Sequence, residues 1–87
     1  MTKIRSRILG VLQRHNVDGL VFEETRPLSD NGFDSYSFIE MTVHIEQAFG
    51  MEFDDASLDL NRYATLGDFL SFTESLVSDA IAQRPAE

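Results

Sequence analysis

No cysteine occurs in the 87 residues, so neither a disulfide nor a thiolate metal site can staple the fold, and the core must hold by packing alone. No apolar run approaches the length that spans a bilayer, and the basic residues of Met1-Thr2-Lys3-Ile4-Arg5 are not followed by a continuous apolar stretch. Neither a membrane helix nor a signal peptide is expected, and a cytoplasmic protein without membrane contacts is the default. Basic charge is scarce: 7 Lys and Arg stand against 15 Asp and Glu, a formal net charge of -8. That balance disfavours nucleic acid as a partner and favours proteins with basic surfaces. The shortage is regional, because Arg5, Arg7 and Arg14 sit in the first segment while no Lys or Arg occurs from Gly32 to Asp59. Such an acidic middle either steers basic enzymes or keeps a small domain from associating. There is no internal repeat or low-complexity tract. With 43% hydrophobic content the length supports one domain with a modest core and leaves no room for a second.

Hydrophobic periodicity predicts an all-α chain. From about residue 3 to 15 the apolar positions Ile4, Ile8, Val11 and Leu12 recur at three- and four-residue steps, with Leu9 off the stripe. Residues 16–34 carry Asn16, Asp18, Gly19 and Pro27 without a clear period, which predicts a long ordered loop pinned by Leu20, Val21, Phe22 and Leu28, with room for one short helical turn. A second helix over about 35–49 places Phe38, Met41, Ile45, Ala48 and Phe49 on one face and Glu40, His44 and Gln47 opposite, and Gly50 ends it. Tyr36, Ile39 and Val43 form a narrow strip that the core stripe leaves unexplained. A short helix is expected over about 56–62, with Leu58, Leu60 and Tyr63 inward. Thr65, with Asp68 three residues on, opens a last helix over about 65–82. The expected architecture is a small single-domain bundle of three main helices plus one short one, with a long loop between the first two.

The run Gly32-Phe33-Asp34-Ser35 hands a polar loop over to the second helix and puts a serine hydroxyl at its start, where free N–H groups favour a phosphate-bearing group. Asp34 suits the N-cap. Ser35 lacks the surroundings of a catalytic nucleophile. His44 lies nine residues further along the same helix, roughly 13 Å by helical rise, and His15 cannot be placed from sequence.

The stretch Gly32-Phe33-Asp34-Ser35-Tyr36-Ser37-Phe38-Ile39-Glu40 resembles the attachment motif of acyl carrier proteins and their peptidyl carrier relatives. The similarity continues through Met41, Ile45-Glu46, Phe49, Met51-Glu52-Phe53 and Asp54-Asp55 to Thr65-Leu66-Gly67-Asp68-Phe69. The resemblance implies an acyl-carrier-like bundle in which Ser35 carries 4'-phosphopantetheine, added from coenzyme A by a phosphopantetheinyl transferase, with cargo held on its thiol as a thioester. Asp34 would then help bind the transferase or its metal. Tyr36, Ile39 and Val43 would form a docking surface rimmed by Glu40, Glu46 and Asp34 for acyl- or aminoacyl-loading and processing enzymes with basic surfaces. The chain itself would act as a monomer without catalytic activity.

The sequence departs from the common pattern at Tyr36, where Leu or Met is usual, at Asn31, where Leu is frequent, and at Gln47-Ala48, which thin the acidic face. A specialised fatty-acid, polyketide or nonribosomal peptide pathway fits these departures. Phe38 points to the core, so short acyl or aminoacyl cargo is expected rather than long chains. Competing readings fare less well. Registering Gly32 on a calcium loop puts Pro27 at the first ligand position, where Asp is required, and no paired His spacing suggests a metal site. An unmodified helical adaptor for basic partners shares the fold and stays open at this point.

Overall fold

The computed structural model describes residues 3–15 and 21–83. Three helices carry the core: α1 (Lys3–Arg14), α2 (Ser35–Phe49) and α3 (Leu66–Ala82), and no strand forms among the described residues. Helix α1 contacts both α2 and α3. That position explains why its buried set is wider than one stripe. Ile8, Val11 and Leu12 are buried, and Leu9, which the sequence pattern leaves out, is half-buried against the core together with Ile4.

In α2 the buried residues are Phe38, Met41, Thr42, Ile45 and Phe49, whereas Ala48, assigned inward from sequence, is exposed. The stripe is rotated by the inclusion of Thr42, whose hydroxyl donates to the Ile39 carbonyl at 2.7 Å and so enters the core already bonded. Gly50 closes the helix with φ 63°, a left-handed conformation that a side chain would strain, and its N–H donates to the Glu46 carbonyl at 2.8 Å.

Between α2 and α3 the single short helix read from sequence over 56–62 is replaced by two 3-10 turns, Asp55–Ser57 and Leu60–Arg62. Each turn has its own aspartate. Asp54 accepts from the Ser57 N–H at 3.0 Å, and Asp59 accepts from the Asn61 N–H at 2.9 Å, so the second carboxylate restarts the chain where one helix would have continued. Tyr63 is buried and donates its phenol to the Ser57 carbonyl at 2.8 Å. Its ring joins an aromatic cluster centred on Phe69, 5.1 Å from Tyr63, 5.2 Å from Phe38 and 6.1 Å from Phe53. The two shortest pairs are edge-on, the arrangement in which a ring's positive rim meets its neighbour's negative face.

The loop before α2 is ordered by one side chain. Asn31, buried at the end of the 3-10 turn Ser29–Asn31, accepts from the Glu23 N–H at 2.6 Å and donates to the carbonyls of Glu23 (3.0 Å), Arg26 (3.3 Å) and Pro27 (2.9 Å). The loop in turn caps α3. The Arg26 carbonyl accepts from the Leu66 N–H at 2.9 Å and the Glu24 carbonyl from the Gly67 N–H at 2.8 Å, which satisfies two donors that a helix start leaves open. Gly67 is needed for that approach, since a Cβ there would meet the Glu24 carbonyl oxygen at 3.0 Å. Arg5 ties the same region together by pairing with Glu24 and, at 2.7 Å, with Glu74; its hydrogen bond to Glu24 is the main cause of its raised pKa. Phe22 stacks on Phe33, and Leu28 is buried, as a pinned loop requires. Val21 does not help, being 85% exposed, and Leu20 lies outside the described residues. Asn31→Ala is expected to lower stability by about 1–3 kcal/mol, because it strands buried backbone partners. Urea unfolding measures this, and the exchange of the Leu66 and Gly67 amides should accelerate with it.

Candidate attachment site at the start of the second helix

Two serines stand in the first turn of α2, and the geometry separates them. Asp34 is the N-cap: its carboxylate accepts from the Ser37 N–H at 2.8 Å, while the Ser37 hydroxyl accepts from the Asp34 N–H at 2.9 Å. This reciprocal box uses a serine where Glu or Gln is usual. It occupies the Ser37 hydroxyl, which also donates to the Asp34 carbonyl at 3.3 Å. The Ser35 hydroxyl is exposed and makes no hydrogen bond among the described residues. Asp34 has its pKa lowered, first by the Ser37 N–H and then by the Ser37 hydroxyl, so it stays ionised beside Ser35 throughout the neutral range.

The loop places this turn. Gly32 adopts φ 86°, and the Phe33 N–H donates to the Leu28 carbonyl at 3.1 Å, so the chain reverses and buries Phe33 directly before the cap. Asp34 and Ser35 are thereby carried outward on an anchored turn. The start of α3 is sealed by the loop carbonyls, whereas the start of α2 faces solvent.

Neither histidine serves Ser35. The rings of His15 and His44 stack on one another, with centroids 3.6 Å apart and planes 8° from parallel, towards the far end of α2 from Ser35. His15 is thus placed by the structure, at the level of His44 and away from the serine. Its pKa is lowered, chiefly by desolvation, which the stacked His44 ring supplies to an otherwise exposed side chain, and then by the charges of His44 and Arg14. No group of three or more metal-ligating side chains gathers among the described residues.

The strip predicted from the helical wheel lies in the open. Tyr36 is 74% exposed, Ile39 39% and Val43 41%, and they follow Ser35 along one face of α2. Glu40 is exposed beside them. Glu46 is drawn away from this rim, because its carboxylate accepts the Phe53 N–H at 2.8 Å and holds the chain after α2. Sequence reasoning missed that duty and the role of Asn31. In both cases the partners are backbone groups brought near only by folding.

The start of α2 thus displays a hydroxyl that makes no hydrogen bond among the described residues, beside an exposed apolar strip and away from both histidines. A family model described as the phosphopantetheine attachment site matches residues 2–72. The acyl carrier protein of Thermotoga maritima is 37% identical over 54 residues, which is 62% of this chain and 64% of that protein, so the chain spans a little under two thirds of that relative's length. No solved structure matches the chain. The chain belongs to the phosphopantetheine-attachment family of carrier proteins, and its cofactor is 4'-phosphopantetheine. The site fits that group: an exposed hydroxyl that makes no hydrogen bond among the described residues, on a helix start facing solvent, leaves room for a phosphodiester. No described helix is long and apolar enough to cross a membrane.

Proposed function

We propose that Ser35 is the attachment residue and that the protein is a discrete, monomeric cytoplasmic carrier in a specialised fatty-acid, polyketide or nonribosomal peptide pathway. The observation that carries this reading is the contrast between two neighbouring hydroxyls, Ser37 locked in the capping box and Ser35 free. When bound, the group supplies a thiol that holds acyl or aminoacyl cargo as a thioester. The chain contributes position and recognition, and visiting enzymes with basic surfaces perform the chemistry. Asp34 orients the serine through its cap and offers a carboxylate to the transferase or its metal. Incubation with coenzyme A and a broad-range transferase, followed by intact mass and peptide mapping, tests the assignment; an unmodified adaptor would show no mass gain.

Tyr36, Ile39 and Val43, with Glu40 at the rim, form the docking surface in this reading, and Glu46 contributes only through charge. Ile39→Arg and Glu40→Lys are expected to slow modification or cargo transfer about tenfold or more while leaving the helix intact. Transfer kinetics unchanged in both, with normal circular dichroism, would place docking elsewhere.

The cargo is short. Phe38, 1% exposed, fills the space beneath the first turns of α2 against Phe69 and Tyr63, so a chain hung from Ser35 finds the interior already occupied by rings.

A further inference from the structure

Helices α1 and α2 run antiparallel, since His15 meets His44 while Arg7 lies over the ring of Phe49 at 4.9 Å. Between them, at the far end of α2 from Ser35, is an open groove lined by Arg7, Gly10, Val11, Arg14, Ala48 and Phe49. It is unusual in an acidic chain, for its lining holds two arginines and no carboxylate. Arg7 and Arg14 are exposed and make no ion pair among the described residues, whereas Arg5 and Arg26 are both paired with glutamates. Glu46, the carboxylate in the last turns of α2, is turned to the Phe53 N–H. Gly10 leaves the floor open, because a Cβ there would meet nothing within 4 Å, and Ala48 is exposed on the opposite wall.

We propose that this groove is a second docking surface, for an acidic amphipathic helix of a partner protein. The match is geometric as well as electrostatic. Arg7 and Arg14 are one heptad apart, about 10.5 Å along the axis, which sets them opposite carboxylates one heptad apart on a partner helix, with an apolar side chain of the partner over Gly10 and Phe49. The Phe49 ring fixes the Arg7 guanidinium, so less side-chain freedom is lost on binding. Because α2 extends about 21 Å from Ser35 to Phe49, an occupant leaves the serine accessible. The surface thus suits a partner held while others act at the helix start.

The test is an NMR titration of the full chain with a synthetic helical peptide bearing two glutamates a heptad apart around leucines, beside the same peptide carrying glutamines. Amide shifts are expected at Arg7, Gly10, Arg14 and Ala48. Binding should be about tenfold weaker for the glutamine peptide, for the double variant Arg7→Glu with Arg14→Glu, and for Ala48→Glu, with circular dichroism confirming the fold. Modification by the transferase should run at the same rate with the peptide bound, and the titration itself does not depend on that modification. Shifts confined to Tyr36, Ile39 and Val43, equal binding of both peptides, indifference to the charge reversals, or the same shifts with citrate alone would overturn the proposal. So would no shift at millimolar peptide.

Discussion

Ser35→Ala is expected to abolish incorporation of the phosphopantetheine arm completely while leaving the protein folded. The two halves of that result have separate causes. Ser35 is at the first helical position, exposed, and its hydroxyl bonds to nothing among the described residues, so alanine there removes no internal partner and should change stability by less than about 0.5 kcal/mol. The cap is carried by Asp34 and Ser37, which the substitution does not touch. Loss of modification then reports the loss of the acceptor oxygen itself. Ser37→Ala is the matched control: it breaks the capping box and should loosen the first turn, yet modification persists. Intact-mass measurement after transferase treatment reads both. A mass gain retained by Ser35→Ala, or lost in Ser37→Ala with the helix start intact, would move the attachment away from Ser35.

Phe38→Ala should cost about 3–5 kcal/mol in chemical denaturation, a large part of the 5–15 kcal/mol typical of a small domain. The ring is 1% exposed and sits between Phe69 at 5.2 Å and Tyr63 at 6.0 Å, so truncation removes its transfer free energy and leaves a cavity that the neighbouring rings refill only in part. The same site decides the fate of cargo. In the unaltered protein, loading a long fatty acyl chain should leave the amide and ring resonances of Phe38, Tyr63 and Phe69 in place, as loading a short one does. Phe38→Leu, which keeps more of the fold than alanine, should make room, and long-chain loading should then shift those resonances. Strong core shifts on long-chain loading of the unaltered protein would sink the short-cargo reading.

Much of this could be read before folding was considered. The bounds of α2 follow from local chemistry, with Asp34 at one end and Gly50 at the other, and a cap needs only the residues it touches. The buried set of α3, Leu66, Phe69, Leu70, Thr73 and Val77, recurs at helical spacing, as a helix offering one face to the core requires, with Leu76 and Ala80 half-buried beside it. Where sequence reading slipped, a residue's surroundings came from far along the chain. Ala48 has the right period yet lies on an open groove wall, Leu9 is covered because α1 has neighbours on two sides, and Asp59 divides an expected helix into two turns.

The sequence by itself determined the three-helix pattern, the acidic character and the serine at a helix start, all consequences of residue type and spacing within a few turns. Only the tertiary structure decided that Asn31 binds the loop whose carbonyls cap α3, and that two arginines of α1 share a groove with the end of α2. Each depends on groups distant in sequence meeting at hydrogen-bond or van der Waals range. That proximity is a property of the packed chain, and periodicity carries no record of it.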